Sequence, residues 1–186
     1  MTNSNDPFLT DVQTLRQRAK ESLEKGPVTP DYQGGLQTAI DLLQSVVATE
    51  IVCVLRYSMN VIAAQGISSA SVSEEFAEHA KEESEHVKMA AERIDQLGGI
   101  PNMNPDGLAM RSVTEYGTPG DLIAMIRQNL VAERVVIEHS RELIRYFGEK
   151  DPATRIMLEH ILAEDEEHAS DMHDLLVASE GNPFLP

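Results

Sequence analysis

The chain has 186 residues, enough for one domain with a substantial core, and its formal net charge of -16 argues against binding nucleic-acid phosphates or anionic membranes. Apolar residues make up 41% of the sequence but aromatic residues only 4%, so aliphatic side chains must fill the core. The single cysteine, Cys53, excludes an intrachain disulfide, and we find neither a signal peptide nor an apolar run of membrane-spanning length, so a cytoplasmic protein without membrane contact is expected.

Residues 1–34 are predicted to form an extension ahead of the main domain. A short helix is expected over residues 11–25, because Gly26 and Pro27 end the helical pattern there. Basic and acidic residues are mixed along this segment, which argues against a basic arm that binds nucleic acid.

Four long helices are predicted after the extension, because apolar residues recur at intervals of three and four over long stretches. They cover about residues 36–65, 71–97, 121–147 and 152–180. Ser71 or Ser73 is expected to cap the second helix, Asp121 the third and Asp151 the fourth, where Pro152 occupies the first turn.

The lengths of the connections predict how these helices are arranged. The first and second helices, and likewise the third and fourth, are separated by about five residues, which makes each pair an antiparallel hairpin. Between the second and third helices lie about twenty residues without a strong period, which indicates a crossover or a short helix. The chain is therefore expected to form a four-helix bundle over residues 35–180, followed by a C-terminal tail at 181–186.

Each long helix carries an acidic residue at a position where its apolar stripe requires a hydrophobic one. In the second helix, the stripe from Phe76 to Leu97 is interrupted by Glu83. The acidic residues of the four stripes, in chain order, are Glu50, Glu83, Glu133 and Asp165. On two of the helices a histidine follows three residues later, as His86 and His168, and residues at this spacing share a helix face.

Four carboxylates that face one core predict a site for cations. They cannot all remain ionised together unless they are neutralised, and two divalent metal ions would supply four positive charges. Imidazole and carboxylate ligands without thiolates suit iron or manganese rather than a structural zinc site. Bridging carboxylates would hold two such ions close enough to act on one molecule of O2 or H2O2.

Four stretches of the chain resemble the ferritin-like superfamily, and within it bacterioferritin and the Dps-like proteins that carry a bacterioferritin-type site. They are ATEIVCVLRYS, HAKEESEHVKMAAERI, LVAERVVIEHS and ILAEDEEHASDM, and the resemblance covers about residues 36–179. It implies an all-α, ferritin-like four-helix bundle with a long crossover between helices two and three. The metal ligands that it implies are Glu50, Glu83, His86, Glu133, Asp165 and His168.

The sequence departs from the bacterioferritin pattern at two positions. Asp165 stands where that pattern has Glu, and its shorter side chain leaves Glu164 open as a substitute ligand. Asp165 is favoured because it alone lies on the apolar stripe of the fourth helix. Ser84 stands where bacterioferritin has a haem-binding methionine, which argues against haem bound in that manner.

Three further residues near the predicted centre have two interpretations each. Tyr57, two turns after Glu50, matches a tyrosine beside the bacterioferritin centre, and an ordinary core aromatic is an equal interpretation. Cys53 is interpreted as an inert buried thiol rather than an oxidant sensor. His79 lies on the helix of the first Glu-His pair and is interpreted as solvent-facing rather than part of an access route.

The resemblance implies a ferroxidase that binds two iron ions per subunit, or manganese in their place. O2 or H2O2 would oxidise Fe(II), and ferric iron would pass to a mineral core inside a hollow homo-oligomer. Only EGNPFLP follows the fourth helix, so no fifth helix is expected and a shell of twelve subunits is favoured over one of twenty-four. The absence of a basic tail argues against direct binding of nucleic acid.

Two other functions stay open at the level of the sequence. A di-iron or di-manganese enzyme of the same superfamily could remove peroxide, as a peroxidase or catalase does, without storing iron. A metal-free helical scaffold would require the four carboxylates to face solvent or to be protonated.

Overall fold

The structure, a computed structural model of the chain, describes residues 9–64, 69–118 and 120–180. Within these ranges the regular secondary structure is entirely helical, so the predicted all-α class is confirmed. The helices are α1 (Val12–Arg18), α2 (Leu36–Ala63), α3 (Ser69–Gln96), α4 (Leu108–Arg111), α5 (Leu122–Phe147) and α6 (Pro152–Glu180), with a 3-10 helix at Leu23–Lys25. The predicted tail at 181–186 lies outside the described residues.

The four long helices pack as the connection lengths predict. Helix α2 packs along α3, and α5 packs along α6. The Ser73 hydroxyl near the start of α3 donates to the carbonyl oxygen of Val61 near the end of α2, as an antiparallel hairpin requires. Contacts of α3 with α6 and of α2 with α5 close the bundle, and the crossover carries the short helix α4 against α2.

Two of the predicted helix starts are confirmed. The Asp121 carboxylate accepts a hydrogen bond from the Ala124 N–H at 2.8 Å, and the Asp151 carboxylate accepts one from the Thr154 N–H at 3.0 Å. Each aspartate thus satisfies a backbone donor that has no partner within its own helix. Pro152 occupies the first position of α6, where a missing N–H costs nothing.

Two other predicted boundaries are wrong. Helix α3 begins at Ser69, so the predicted caps Ser71 and Ser73 both lie inside its first turns. Ser73 could not be the cap, because Val72, one turn before Phe76, is already buried on the apolar face. The helix expected over residues 11–25 ends at Arg18. Ser22 has a φ of 52°, in the left-handed region, and an α-helix cannot pass through a residue in that conformation.

Helix α2 corrects the expectation that no apolar run reaches membrane-spanning length. By length and composition, this helix could cross a membrane. Half of its apolar stretch is, however, buried inside the bundle, and Glu50 and Arg56 are buried on the same helix. Its apolar character is therefore accounted for by packing against three other helices.

The apolar core consists of a small cluster, Ala48, Val52 and Leu108, that joins α2 to α4, and of two larger clusters, one toward each end of the bundle. One contains Leu43, Val47, Ala90, Ile94, Leu143, Phe147 and Leu158. The other contains Tyr57, Val72, Phe76, Met125, Ile126, Met172 and Leu176. In every long helix, the acidic residue of the stripe lies between the residues that contribute to the two clusters, so both clusters hold the polar layer in place.

Asp151 joins three parts of the chain at one end of the bundle. Besides capping α6, its carboxylate accepts two hydrogen bonds from Arg93 of α3, at 2.9 and 3.0 Å. The Tyr32 hydroxyl of the N-terminal extension donates to it at 2.9 Å. This buried carboxylate therefore fixes the extension and α3 against the start of α6.

We expect Asp151→Ala to lower the free energy of unfolding by about 3 kcal/mol or more, because it leaves the Arg93 guanidinium largely buried without its carboxylate. Asp121→Ala is the matched control, since it removes an exposed cap with one backbone hydrogen bond and should cost about 1 kcal/mol. Denaturant unfolding of both variants at one chain concentration measures the difference. Equal losses would contradict the role assigned to Asp151.

Candidate metal centre

The structure brings all six predicted ligands together in the polar layer of the bundle. Helix α2 contributes Glu50, α3 contributes Glu83 and His86, α5 contributes Glu133, and α6 contributes Asp165 and His168. Each of these residues is at most 1% exposed. Helical spacing positions them, since each acidic residue occupies a core-facing place in its own apolar stripe.

The six residues form two overlapping groups, within each of which the potential ligand atoms lie within 4.8 Å of one another. The first group is Glu50, Glu83, His86 and Asp165, and the second is Glu83, Glu133, Asp165 and His168. Glu83 and Asp165 belong to both groups, which is the placement required of carboxylates that bridge two ions. Glu50 and Glu133 each belong to one group, as terminal ligands would.

Six polar atoms of this cluster have no hydrogen-bond partner among the residues that the structure describes. They are Glu50 Oε2, Glu83 Oε1, Glu133 Oε2, Asp165 Oδ1, Asp165 Oδ2 and His168 Nδ1. A buried polar atom without a partner costs about 1–3 kcal/mol, and five of these are carboxylate oxygens that repel one another. Divalent cations would satisfy all of them, so the residues present fit a two-metal centre.

The distances in the cluster also suit metal ligands. His86 Nδ1 lies 3.3 Å from Glu83 Oε2, 3.6 Å from Glu50 Oε2 and 3.7 Å from Asp165 Oδ1. Charge-assisted hydrogen bonds are shorter, at about 2.7–2.9 Å. Two ligand atoms that each lie about 2.1 Å from one ion are about 3.0–3.4 Å apart, so only small shifts of the side chains are needed.

The Nε2 atom of each imidazole, which points away from the centre, contacts a carboxylate of the opposite helix. His86 Nε2 lies 2.6 Å from Glu164 Oε2, and His168 Nε2 lies 2.8 Å from Glu82 Oε2. These contacts leave both Nδ1 atoms facing the centre, which is how outer carboxylates orient histidine ligands of metals. Glu164, the proposed substitute for Asp165, is thus directed to His86, and Asp165 is the residue inside both groups.

This role of Glu82 and Glu164 was missing from the sequence prediction, although a signal for it was present. Each of the two residues directly precedes the acidic member of a Glu-His or Asp-His pair. Which histidine each would contact depends on how α3 and α6 face one another, and periodicity within a single helix does not supply that.

Tyr57 lies directly beside the cluster. Its hydroxyl donates to Glu133 Oε1 at 2.6 Å, and its ring packs against Phe76 with centroids 5.9 Å apart. Both interpretations of Tyr57 therefore apply, because its hydroxyl contacts the cluster and its ring packs in the apolar core. Burial and then the charge of Glu133 raise the pKa of Tyr57 well above its ordinary value, so it stays a neutral donor.

A buried arginine that the sequence did not single out lies on the same side of the bundle. The Arg56 Nε donates to Asn129 Oδ1 at 2.8 Å, and its Nη1 donates to the Glu115 carbonyl oxygen at 2.9 Å, which ties the crossover to α2 and α5. Cys53 lies 3.4 Å from Arg56 Nη2 and is fully buried. Burial, followed by the charge of Glu83, raises the pKa of Cys53, which fits an inert thiol.

Protonation lowers the repulsion within the cluster when cations are absent. Burial and then the charge of Glu83 raise the pKa of Glu50 and of Asp165 well above their ordinary values. The same two causes raise the pKa of Glu133 to about 7. Near neutral pH, the metal-free centre therefore holds protons on carboxyl groups that metal ions would displace.

The pKa values of the two histidines of the centre are also raised, although burial has the opposite effect on a histidine. Burial alone would lower their pKa, but hydrogen bonding and attraction to Glu83 outweigh it and raise the pKa of both His86 and His168 to about 9. Glu83 lies between them; burial would raise its pKa, but its close contacts with Glu50 and the two histidines hold it below the usual range. The metal-free centre is thus a proton-bearing network around one ionised carboxylate.

His79 is not solvent-facing, contrary to the sequence interpretation. It is 2% exposed, and its ring stacks on that of His168 with centroids 4.1 Å apart. One reason lies in the helix itself, because His79 is one turn from Glu83 on the buried side of α3. Burial and then the neighbouring His168 lower the pKa of His79 to about 4.

Comparison with known proteins agrees with the fold. A model of the ferritin-like domain matches residues 40–180. A dodecameric thioferritin, the bacterioferritin-related protein from Bacteroides fragilis, superposes with a TM-score of 0.75 at 32% identity, covering 81% of this chain and 92% of that one. A Dps protein from Bacillus brevis superposes with a TM-score of 0.72 at 24% identity, covering 76% and 96%, a likeness that concerns the fold alone.

A relative in sequence, the nutrient stress-induced DNA-binding protein of Synechococcus sp., is 29% identical over an alignment of 147 residues that covers 73% of this chain and 81% of that protein. Fold and site together define a four-helix bundle with a buried cluster of carboxylates and histidines. The chain belongs to the ferritin-like family, as its motifs indicated. At the level of that family, iron storage and oxidation of Fe(II) are the functions supported.

We expect the metal-free protein to lose stability as the pH rises from about 4.5 to about 9. In this range the raised pKa values of Glu50, Glu133 and Asp165 and of the two histidines keep protons on the folded state that the unfolded chain releases. Glu83, with its lowered pKa, acts in the opposite direction only at lower pH. His79 and His139, whose pKa values are lowered by burial, also act in the opposite direction up to about pH 6.5, and they offset part of the loss there.

Thermal unfolding at several pH values, with and without Mn(II), checks this expectation. Bound cations replace the protons, so the difference in Tm between metal-loaded and metal-free protein should grow with pH. Comparing the two forms at each pH isolates the contribution of the centre, because the other charged groups of the chain titrate in both forms. A difference that stays constant across the range would contradict the account.

We expect Glu164→Ala to weaken metal binding by about 10- to 100-fold, because His86 loses the carboxylate that orients it. Glu166→Ala is a matched control that removes the same charge from the same helix, where Glu166 makes only a surface ion pair with Arg141. Competition between each variant and a metal chelator gives the affinities. Equal affinities of the two variants would show that the Glu164 contact does not support the centre.

Proposed function

We propose that this chain is a ferroxidase that oxidises Fe(II) at the buried centre and retains the ferric product inside an oligomeric shell. The observation that carries the proposal is the sharing of Glu83 and Asp165 between two ligand groups, with carboxylate oxygens that have no other partner. Oxygen and imidazole ligands without a thiolate suit iron, and manganese would be the alternative ion.

The proposed arrangement assigns a task to each side chain. Glu83 and Asp165 hold the two Fe(II) substrates side by side, and Glu50 and Glu133 each hold one of them. His86 and His168 complete the two groups through Nδ1. The Tyr57 hydroxyl fixes the orientation of Glu133 through its hydrogen bond to Oε1.

Pairing the ions matches the chemistry of the oxidant. Each Fe(II) gives up one electron and becomes Fe(III), and one H2O2 accepts two electrons and two protons to become two molecules of water. A pair of Fe(II) ions therefore reduces one peroxide completely and releases no radical. With O2, the same pair supplies two electrons and leaves peroxide, which a second pair reduces.

The storage part of the proposal rests on likeness and charge. The similar protein from Bacteroides fragilis is described as dodecameric, and we propose a hollow shell of twelve subunits for this chain. A net charge of -16 per chain would favour the accumulation of Fe(II) by such a shell. The Synechococcus relative is named for DNA binding, whereas the charge of this chain argues against contact with phosphates.

We expect Glu83→Gln to slow the oxidation of Fe(II) by H2O2 by at least about 100-fold, because the substitution removes the charge of a bridging ligand and leaves its size unchanged. Glu85→Gln is the matched control, since Glu85 is 64% exposed two residues further along α3. Stopped-flow absorbance of ferric iron gives both rates. Similar rates for the two variants would exclude the buried centre as the site of oxidation.

Retention of iron separates storage from peroxide removal without storage. For a ferroxidase with a storage cavity, ferric iron stays soluble and associated with protein far beyond two ions per chain, as gel filtration after aerobic loading would show. A di-iron or di-manganese peroxidase would instead stop retaining iron near two ions per chain and continue to consume H2O2.

A further inference from the structure

Besides the two ion positions of the buried centre, a third potential metal site lies one helical turn away from it. Glu75 and His79 of α3 and Asp171 of α6 form a group whose potential ligand atoms lie within 4.8 Å of one another. None of the three belongs to either ligand group of the buried centre. Glu75 and His79 are four residues apart and share one face of α3, and Asp171 faces them from α6.

The contacts of His79 Nε2, which include a long hydrogen bond with Asp171, have the spacing of ligand atoms around one metal ion. This nitrogen lies 3.3 Å from Asp171 Oδ2 and 3.7 Å from Glu75 Oε1. Both distances exceed the roughly 2.7–2.9 Å of a charge-assisted hydrogen bond. They are close to the separation of about 3.0–3.4 Å between ligand atoms that share one transition-metal ion.

The imidazole is built into the protein, while the two carboxylates reach solvent. The side chain of His79 is 2% exposed, whereas those of Glu75 and Asp171 are 34% and 37% exposed. His79 Nδ1 is buried and has no hydrogen-bond partner within residues 9–64, 69–118 and 120–180, so the polar contacts of the ring with these residues are made by Nε2, toward the two carboxylates. Stacking on His168 and an edge contact with Tyr57 fix the orientation of the ring.

The surroundings of this group favour a cation. A cavity of about 240 Å³ between α3 and α6 is lined by six carboxylates and two histidines, His79 and His168. The outer carboxylates Glu82 and Glu164 are among the residues that line it. The excess of negative charge attracts divalent cations. His79 adds a nitrogen ligand, which transition metals bind more readily than Ca²⁺ and Mg²⁺ do.

We propose that Glu75, His79 and Asp171 form a third, mononuclear site, which binds one divalent transition-metal ion at the mouth of the cleft between α3 and α6. Three protein ligands leave coordination positions for water, so the ion is held but can exchange. The stacked rings of His79 and His168 place this site next to the buried centre. An ion at this site is positioned to be the next to enter the buried centre. This role rests on the proposed function, whereas the binding of an ion at this site does not depend on it.

Anomalous diffraction from crystals of the full chain soaked in Zn(II) tests the site directly. We expect a peak within about 2.1 Å of His79 Nε2, between Glu75 and Asp171, in addition to peaks at the buried centre. Peaks at the centre without one at His79 would overturn the inference alone. A peak at His79 without any at the centre would support the third site and contradict the proposed function.

A solution measurement excludes a site that fills only at crystal concentrations. We expect Asp171→Asn and His79→Gln each to weaken the retention of one Zn(II) per chain against a chelator by at least about tenfold. Asp174→Asn is the matched control, because Asp174 is 80% exposed on the same helix and should leave retention unchanged. Asp171→Asn keeps the buried packing intact, so it tests the site even where His79→Gln disturbs the fold. Unchanged retention in Asp171→Asn would overturn the proposal.

Discussion

The mutual repulsion of four buried carboxylates is the constraint on which the rest of this structure depends. Glu50, Glu83, Glu133 and Asp165 are nearly inaccessible to water, and each comes from a different helix. Burying one such group without a partner is costly, and burying four together requires a source of positive charge. Protons on some of the carboxyl and imidazole groups provide part of it in the metal-free protein, and two divalent cations would provide it fully.

The bundle resists this repulsion because the polar layer lies between two apolar clusters. Large aliphatic and aromatic side chains on both sides fix the four helices, so the carboxylates cannot move apart toward solvent. Hydrogen bonds from Tyr57 and contacts of the two imidazoles with Glu82 and Glu164 then fix the orientation of individual groups. The packing energy of the whole domain thus maintains a site that is unfavourable by itself.

Local periodicity was sufficient to predict the bundle and the composition of the centre. An acidic residue in an apolar stripe is visible without knowledge of the partner helices, and Asp165 was preferred over Glu164 for this reason. Short and long connections were enough to predict two hairpins and a crossover. The structure brings the six predicted residues together, and their assignment as metal ligands stays a prediction.

What the sequence could not provide depends on contacts between helices. Glu82 and Glu164 differ from other surface glutamates only because a histidine of the opposite helix faces them. His79 was assigned to solvent because its burial results from contacts with His168 and Tyr57, on two other helices. The left-handed conformation of Ser22, which prevents the predicted helix from continuing to residue 25, gives no signal in the sequence because Ser22 is not a glycine.

The central claim is that the four carboxylates and two histidines hold two cations side by side. Electron paramagnetic resonance of the full chain titrated with Mn(II) tests it most directly, because ions held about 3.5–4 Å apart by shared carboxylates are magnetically coupled. The account predicts a coupled signal that grows until two ions are bound per chain and is lost in Asp165→Asn. A spectrum of isolated Mn(II) ions throughout the titration would contradict it.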